Sequence, residues 1–382
     1  ASWLTWVAVG AVAGRAMSRL WRSWTSVAAA ALVQAPALAL QIAVTLRARE
    51  LAGVAPHELF PILRLLPMAW WINAPVSFVT GLTFTAACGA VGPADGRSAA
   101  RIYRWDACGA AAGGLGATLA LASGWTDERL AVSALALLAV AAAAAAGRGW
   151  RRAAPLAVAT GAALTIAAGL DHRLSEARDR VVWSRLLPTT PLRGRFTTGQ
   201  ATYRFGEREG AWIVQSRETI VETVGTGDHA ATAAALYLAT VPTARRVLVA
   251  GPDTYALALA FANLPGIERV VWAPPDPEFA LEWPRRLPPH LRMESGRLIA
   301  LDRDLRAWLA TTDDTFDIIA LETGPPLTLA DHRWLTIEFL QLVQRRLAEG
   351  GVAGLRFPGG AAYMGPEVSR FGAALAATAE AV

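Results

Sequence analysis

The first 170 residues are dominated by long runs nearly free of charge, at 24–46, 69–91, 107–125, 130–146 and 153–170, with a shorter run at 1–14. About 20 apolar residues in a helix span a ~30 Å hydrocarbon layer, and helices suit lipid because they satisfy their own backbone N–H and C=O groups. The runs therefore predict about six membrane spans, the first shortened. Buried helices of a water-soluble fold would need a shell of amphipathic helices, and only 50–67 offers one. Trp21, Trp24, Trp70, Trp71, Trp125 and Trp150 fall near run ends, where indole rings favour the headgroup region. The chain of 382 residues is 54% hydrophobic and 18% charged, with a mean hydropathy of +0.33, and the apolar excess is concentrated before Asp171.

Several function classes are excluded by what the chain lacks. A net charge of +5 suits nucleic acid only if the arginines form a stripe with aromatic platforms, and here they are scattered through loops and helix ends, so nucleic acid is not expected as a partner. Cys88 and Cys108 lie in apolar segments, and the five histidines lack ligand spacing, so no metal is expected. A transporter would place ionisable residues or broken helices within its spans. These runs are nearly all Ala, Leu, Val and Gly. Gly109, Gly113, Gly114 and Gly116 have the spacing of a helix-packing face. Asp106, beside Arg101 and Arg104, reads as a paired interfacial charge.

Beyond the helical part the pattern changes. We read 1–170 as the transmembrane domain, 171–189 as an amphipathic connector, 190–228 as a small antiparallel sheet with strands at 196–205 and 211–223, and 229–382 as an α/β domain. In the last, a helix at 229–240 precedes strands at 246–250, 269–272, 297–301, 316–321 and 352–356, with helices at 256–263, 305–310 and 335–348 between them. Strands alternating with helices predict a parallel, doubly wound sheet. The chain opens without an initiator methionine on a run too short to cross, and it ends on a helical segment at 369–382. Both ends are expected to extend further.

In such sheets ligands meet the turn after the first strand, where free N–H groups and a helix dipole face them. That turn is Gly251-Pro252-Asp253-Thr254-Tyr255. It keeps a single glycine, Pro252 removes a donor, and Tyr255 adds bulk where backbone should approach a ligand. The second strand should end in an acid that holds ribose hydroxyls, but Trp272 stands there and Asp276 follows behind two prolines. Asp304 either caps the helix it begins or contacts a base, with capping the commoner role. Asp317 and Glu322 are further candidates. Glu322, just past a strand, is either a solvated loop residue or the acid of a site in the crevice.

Taken in order, these segments resemble the spermidine synthase family, and more closely its membrane-bound bacterial branch. The resemblance rests on Asn73–Gly81 and on Gly96–Gly114 in the membrane part. In the α/β part it rests on Val247–Gly251, Asp304–Arg306, Phe316–Glu322, Leu335–Phe339 and Gly350–Val352. It implies a Rossmann-like, methyltransferase-like domain. It also implies a site in which Gly251, Asp253, Asp276 and Asp304 correspond to cosubstrate-binding positions and Glu322 to a catalytic acid. Family members bind decarboxylated S-adenosylmethionine through a glycine-rich turn and a ribose acid, and they orient the amine with two acids of an Asp-x-x-Asp-Pro loop. Here Pro252 and Tyr255 replace glycines, Trp272 replaces the ribose acid, and Glu322-Thr323-Gly324-Pro325-Pro326 keeps one loop acid. The cosubstrate positions are then vestigial, no cofactor is expected, and the chain reads as an accessory subunit among other membrane proteins. An active aminopropyltransferase or related S-adenosylmethionine-type transferase is the other reading.

Arginines orient the chain in the bacterial inner (cytoplasmic) membrane. The first, third and fifth loops carry Arg15, Arg19, Arg22, Arg97, Arg101, Arg104, Arg148, Arg151 and Arg152, against Arg47, Arg49, Arg64 and Arg129 in the second and fourth. The richer set belongs inside. With six spans, the α/β domain is expected in the periplasm.

Overall fold

The computed structural model describes residues 2–17, 23–54, 60–91, 96–146, 149–216, 219–225, 229–292, 296–323, 332–356 and 366–382. The chain divides into two compact units, Ala1–Leu186 and Leu187–Val382.

The first unit is helical: α1 (Ser2–Ala16), α2 (Trp24–Leu46), α3 (Ala48–Leu51), α4 (Ile62–Ile72), α5 (Ala74–Val91), α6 (Gly96–Ala122), α7 (Asp127–Ala145), α8 (Ala153–Ala167) and α9 (Leu170–Leu186). Its closest helix crossing joins α1 and α5. A Cβ on Gly10 would overlap the Phe78 carbonyl oxygen, and one on Gly81 would overlap that of Val7. Only glycine permits that approach. Thr85 Oγ1 donates to Ala11 O across it (3.2 Å), and Gln34 Nε2 of α2 donates to Thr80 Oγ1 of α5 (3.1 Å). Thr126 caps α7 through Arg129 N, and Asp127 and Glu128 in its first turn both pair with Arg178 of α9 at 2.9 Å, acids placed where the helix dipole favours them.

Three expectations are corrected here. Among the described residues, three helices are long and apolar enough to cross a membrane: Trp24–Leu46, Ile62–Val91 and Asp127–Ala145. A fourth is added if α8 and α9, bent by 72°, count as one. The count falls short of six because α1, at 1.5 Å per residue, is about 22 Å long. Helix α6 starts eleven residues before its apolar run, and its glycines contribute little apolar surface. Secondly, Gly109, Gly113, Gly114 and Gly116 do not form a packing face within the unit, since each faces open space. Thirdly, Asp106 pairs with neither Arg101 nor Arg104 and is exposed.

The second unit begins with a four-stranded antiparallel meander, β1 (Leu192–Thr197), β2 (Thr202–Arg208), β3 (Ala211–Ser216) and β4 (Thr219–Val224). Two long strands were expected, and each run instead folds back on itself. At the first reversal Thr198 Oγ1 accepts from Gln200 N and Ala201 N, a tight turn that side-chain alternation does not reveal. Glu209 and Gly210, both with positive φ, form the two-residue loop that joins β2 to β3.

Five parallel strands follow: β5 (Arg246–Ala250), β6 (Arg269–Ala273), β7 (Leu298–Ala300), β8 (Phe316–Leu321) and β9 (Leu347–Leu355), in the order β7-β6-β5-β8-β9. The intervening helices are α10 (His229–Thr240), α11 (Tyr255–Ala262), α12 (Pro277–Glu282), α13 (Leu305–Thr311) and α14 (Ile337–Arg345), and α15 (Pro366–Glu380) follows. Val247 and Val249 pack with residues of α11 and α12 on one face, while Leu248 and Ala250 pack with α13 and α14 on the other. Strands covered on both faces read as continuous apolar runs, which is why β5 and β8 were legible. Chain order reverses between β5 and β8. In this architecture that switch point is where ligands bind.

Candidate functional site at the switch point

Strand β5 ends at Gly251, whose φ of +128° and missing Cβ are required by its neighbour. A side chain there would overlap the Glu322 carbonyl oxygen. Gly251 N donates to Ala273 O (3.1 Å) and Glu322 N to Ala250 O (2.8 Å), so the ends of β6, β5 and β8 are laced together. The glycine serves strand packing. The turn that follows is tied to β4, with Asp253 N donating to Val221 O (2.8 Å) and Thr223 N donating back to Asp253 Oδ1 (2.8 Å). Asp253 sits at φ +55°, a left-handed conformation that aspartate tolerates better than most residues. Partial burial raises its carboxyl pKa, opposed by the Thr223 N–H and by Arg356.

Beyond the turn the crevice is filled. Trp272 is 0% exposed and Tyr255 1%, and their rings meet edge to face at 4.8 Å. Trp272 Nε1 donates to Thr254 Oγ1 (3.0 Å), which itself donates to Gly251 O (2.7 Å). Tyr255 OH donates to Leu291 O (3.3 Å). A buried indole N–H and a phenol with satisfied partners are settled core groups.

The sequence reading missed Glu222. It lies on β4, is 1% exposed, and accepts from Thr254 N (3.2 Å) and from Tyr255 N at both carboxyl oxygens (3.2 Å each). Burial, reinforced by the charge of Asp253, pushes its pKa well up, against the pull of the Tyr255, Thr254 and Thr223 N–H groups. The available signal was an acid at an inward position, since Glu222 and Val224 are buried while Thr223 between them is not.

The remaining candidates separate. Asp276 is buried and caps α12 through Glu278 N (3.0 Å), while its other oxygen accepts from Thr198 Oγ1 (2.6 Å) and Tyr203 OH (2.8 Å), joining α12 to the antiparallel sheet. Asp304 caps α13 through Ala307 N (3.0 Å) and pairs with Arg333. Asp317 accepts from Arg245 N and Arg246 N, both at 2.8 Å, at the start of β5. Glu322 remains in the crevice beside Asp253. Its Oε2 meets Arg356 Nη1 at 3.3 Å, and burial raises its pKa against that arginine's pull. Tyr237 of α10, whose hydroxyl crowds Gly354 of β9, is pushed up to about 12 by burial and by Glu322. The Gly324-Pro325-Pro326 segment lies outside the described residues. Among the described residues no group of three or more His, Cys, Asp or Glu is arranged for a metal.

The architecture defines a class: a helical unit with apolar helices of membrane-spanning length, followed by an antiparallel and a parallel sheet. No family model and no curated protein matches the chain. Among solved structures, it is distantly similar in fold to spermidine synthase in complex with the transition-state analogue AdoDATO, with a TM-score of 0.37, 14% identity and coverage of 44% of this chain and 58% of that one. It is likewise similar to spermidine synthase from Thermotoga maritima, with a TM-score of 0.39, 13% identity and coverage of 50% and 64%. The chain thus spans less than two thirds of either.

Proposed function

We propose that the chain is a membrane-anchored spermidine synthase-like protein whose α/β domain has lost aminopropyl transfer and serves as a structural or accessory subunit of a membrane protein complex. The observation that supports this most is the packing of Trp272 on Tyr255, which fills the place where the resemblance expects a ribose acid and a bare glycine turn. Transfer to an amine also needs acids that hold its remaining ammonium groups in line. Glu322 faces Arg356 instead. The strand, turn and cap pattern is retained while the chemistry is not, so the fold is kept for another use. The clustering of Asp253, Glu322 and Arg356 at the strand ends favours the second reading, an active transferase with a rearranged site. Mild-detergent extraction, native electrophoresis and mass spectrometry test the subunit role. Stoichiometric partners are expected, and a lone monomer or homodimer overturns it.

For orientation, we place the chain in the bacterial inner membrane with the α/β domain in the periplasm. Helix α6 decides this: its 27 residues are long enough to cross, although its glycines and charges keep it out of the three helices that qualify by composition. Arg97, Arg101 and Arg104 at its start, and Arg151 and Arg152 after α7, fall on one side only if α6 crosses as well as α7. Protease digestion in intact spheroplasts is expected, and digestion only after lysis contradicts it.

A further inference from the structure

We propose that Glu222 is an internal ligand: its carboxyl group occupies, from within the chain, the place at the N-terminus of α11 that this architecture otherwise offers to a phosphate or carboxylate. The first amides of a helix have no partner in the helix itself and carry its positive dipole end. In this eight-residue helix the amides of Thr254 and Tyr255 are already bonded to Glu222 at 3.2 Å. The carboxyl is supplied by β4, which the Asp253 N to Val221 O and Thr223 N to Asp253 Oδ1 bonds clamp to the turn on either side of Glu222. Trp272 and Tyr255 exclude a large ligand by bulk. Glu222 excludes even a small anion by satisfying the donors it would use. The titratable groups facing this position are Glu222 and Asp253.

This inference deepens the reading of the crevice as closed and rests on it, but its test uses no nucleoside, so either can fail alone. The Glu222→Ala variant of the whole 382-residue chain in detergent is melted with increasing sodium formate or acetate at fixed ionic strength. The variant is expected to melt below wild type and to regain about 3–6 °C at roughly ten times the anion's Kd, saturably. Wild type and Glu222→Gln, whose side chains still fill the position, are expected not to respond. An unresponsive Glu222→Ala, or an equal response from wild type, overturns the proposal. Should the alanine variant not fold, amide exchange in wild type decides: protected amides at Thr254 and Tyr255 support the internal ligand, and exchange at the rate of free amides refutes it.

Discussion

The two units differ in how many of their glycines and charges have a partner within the unit. In the α/β unit Gly251 is demanded by the Glu322 carbonyl oxygen, which a Cβ there would overlap, and Asp276, Asp304, Asp317 and Glu222 each have partners. In the helical unit Gly10 and Gly81 are used in the same manner, yet Gly109, Gly113, Gly114 and Gly116 of α6 meet nothing and Asp106 stands exposed. Apolar composition selects a solvent, whereas turns, caps and alternation select particular neighbours.

That contrast can be broken by substitution. Trp272→Ala should cost the most, about 3–5 kcal/mol, because it removes a fully buried ring and leaves Thr254 Oγ1 without its indole donor. Thermal melting of the full chain checks this, and a near-neutral result would mean that the crevice is not packed. Gly251→Ala should cost about 2–5 kcal/mol through positive φ and overlap with Glu322. Gly113→Ala in the purified chain should cost nothing, because its surroundings are open. Equal losses at the two sites would erase the distinction between the units.

A smaller difference is expected between two caps. Asp276→Ala strands the Thr198 and Tyr203 hydroxyls and should cost about 2–4 kcal/mol, against about 1 kcal/mol for the more exposed Asp304→Ala. The least effect concerns pH. The folded pKa of Glu222 is raised, so the stability it contributes is fully present below its ordinary value of 4.5 and is lost as pH rises through the raised one. Asp253 and Glu322 act in the same sense. Melting temperature should therefore fall from about pH 5 upward, and it should fall less in Glu222→Gln. An identical slope in the variant would rule Glu222 out as the source.

Much of the fold was legible because local signals agreed. The bounds of α10, β5 and β8 follow from apolar runs closed by Pro242, Gly251 and the Asp313-Asp314 pair, and Asp304 reads as a cap from its place before an apolar segment. The turn at Thr198 was not legible, since alternation continues across a reversal. Six spans were expected where three or four qualify, because α6 spreads its apolar residues among glycines and charges. Of the groups at that end of the sheet, Gly251, Asp253 and Glu322 were named from the sequence as candidates. Glu222 was not, because a strand's register decides whether an acid faces water or a helix N-terminus, and register is a property of pairing rather than of the strand itself.

The filling of the crevice is the point on which the rest depends, and calorimetric titration of the full chain with decarboxylated S-adenosylmethionine reaches it most directly. With Trp272 and Tyr255 in place, no binding heat and no spermidine from added putrescine are expected. Micromolar binding, or spermidine formed, would contradict the loss of catalysis and restore the enzyme reading.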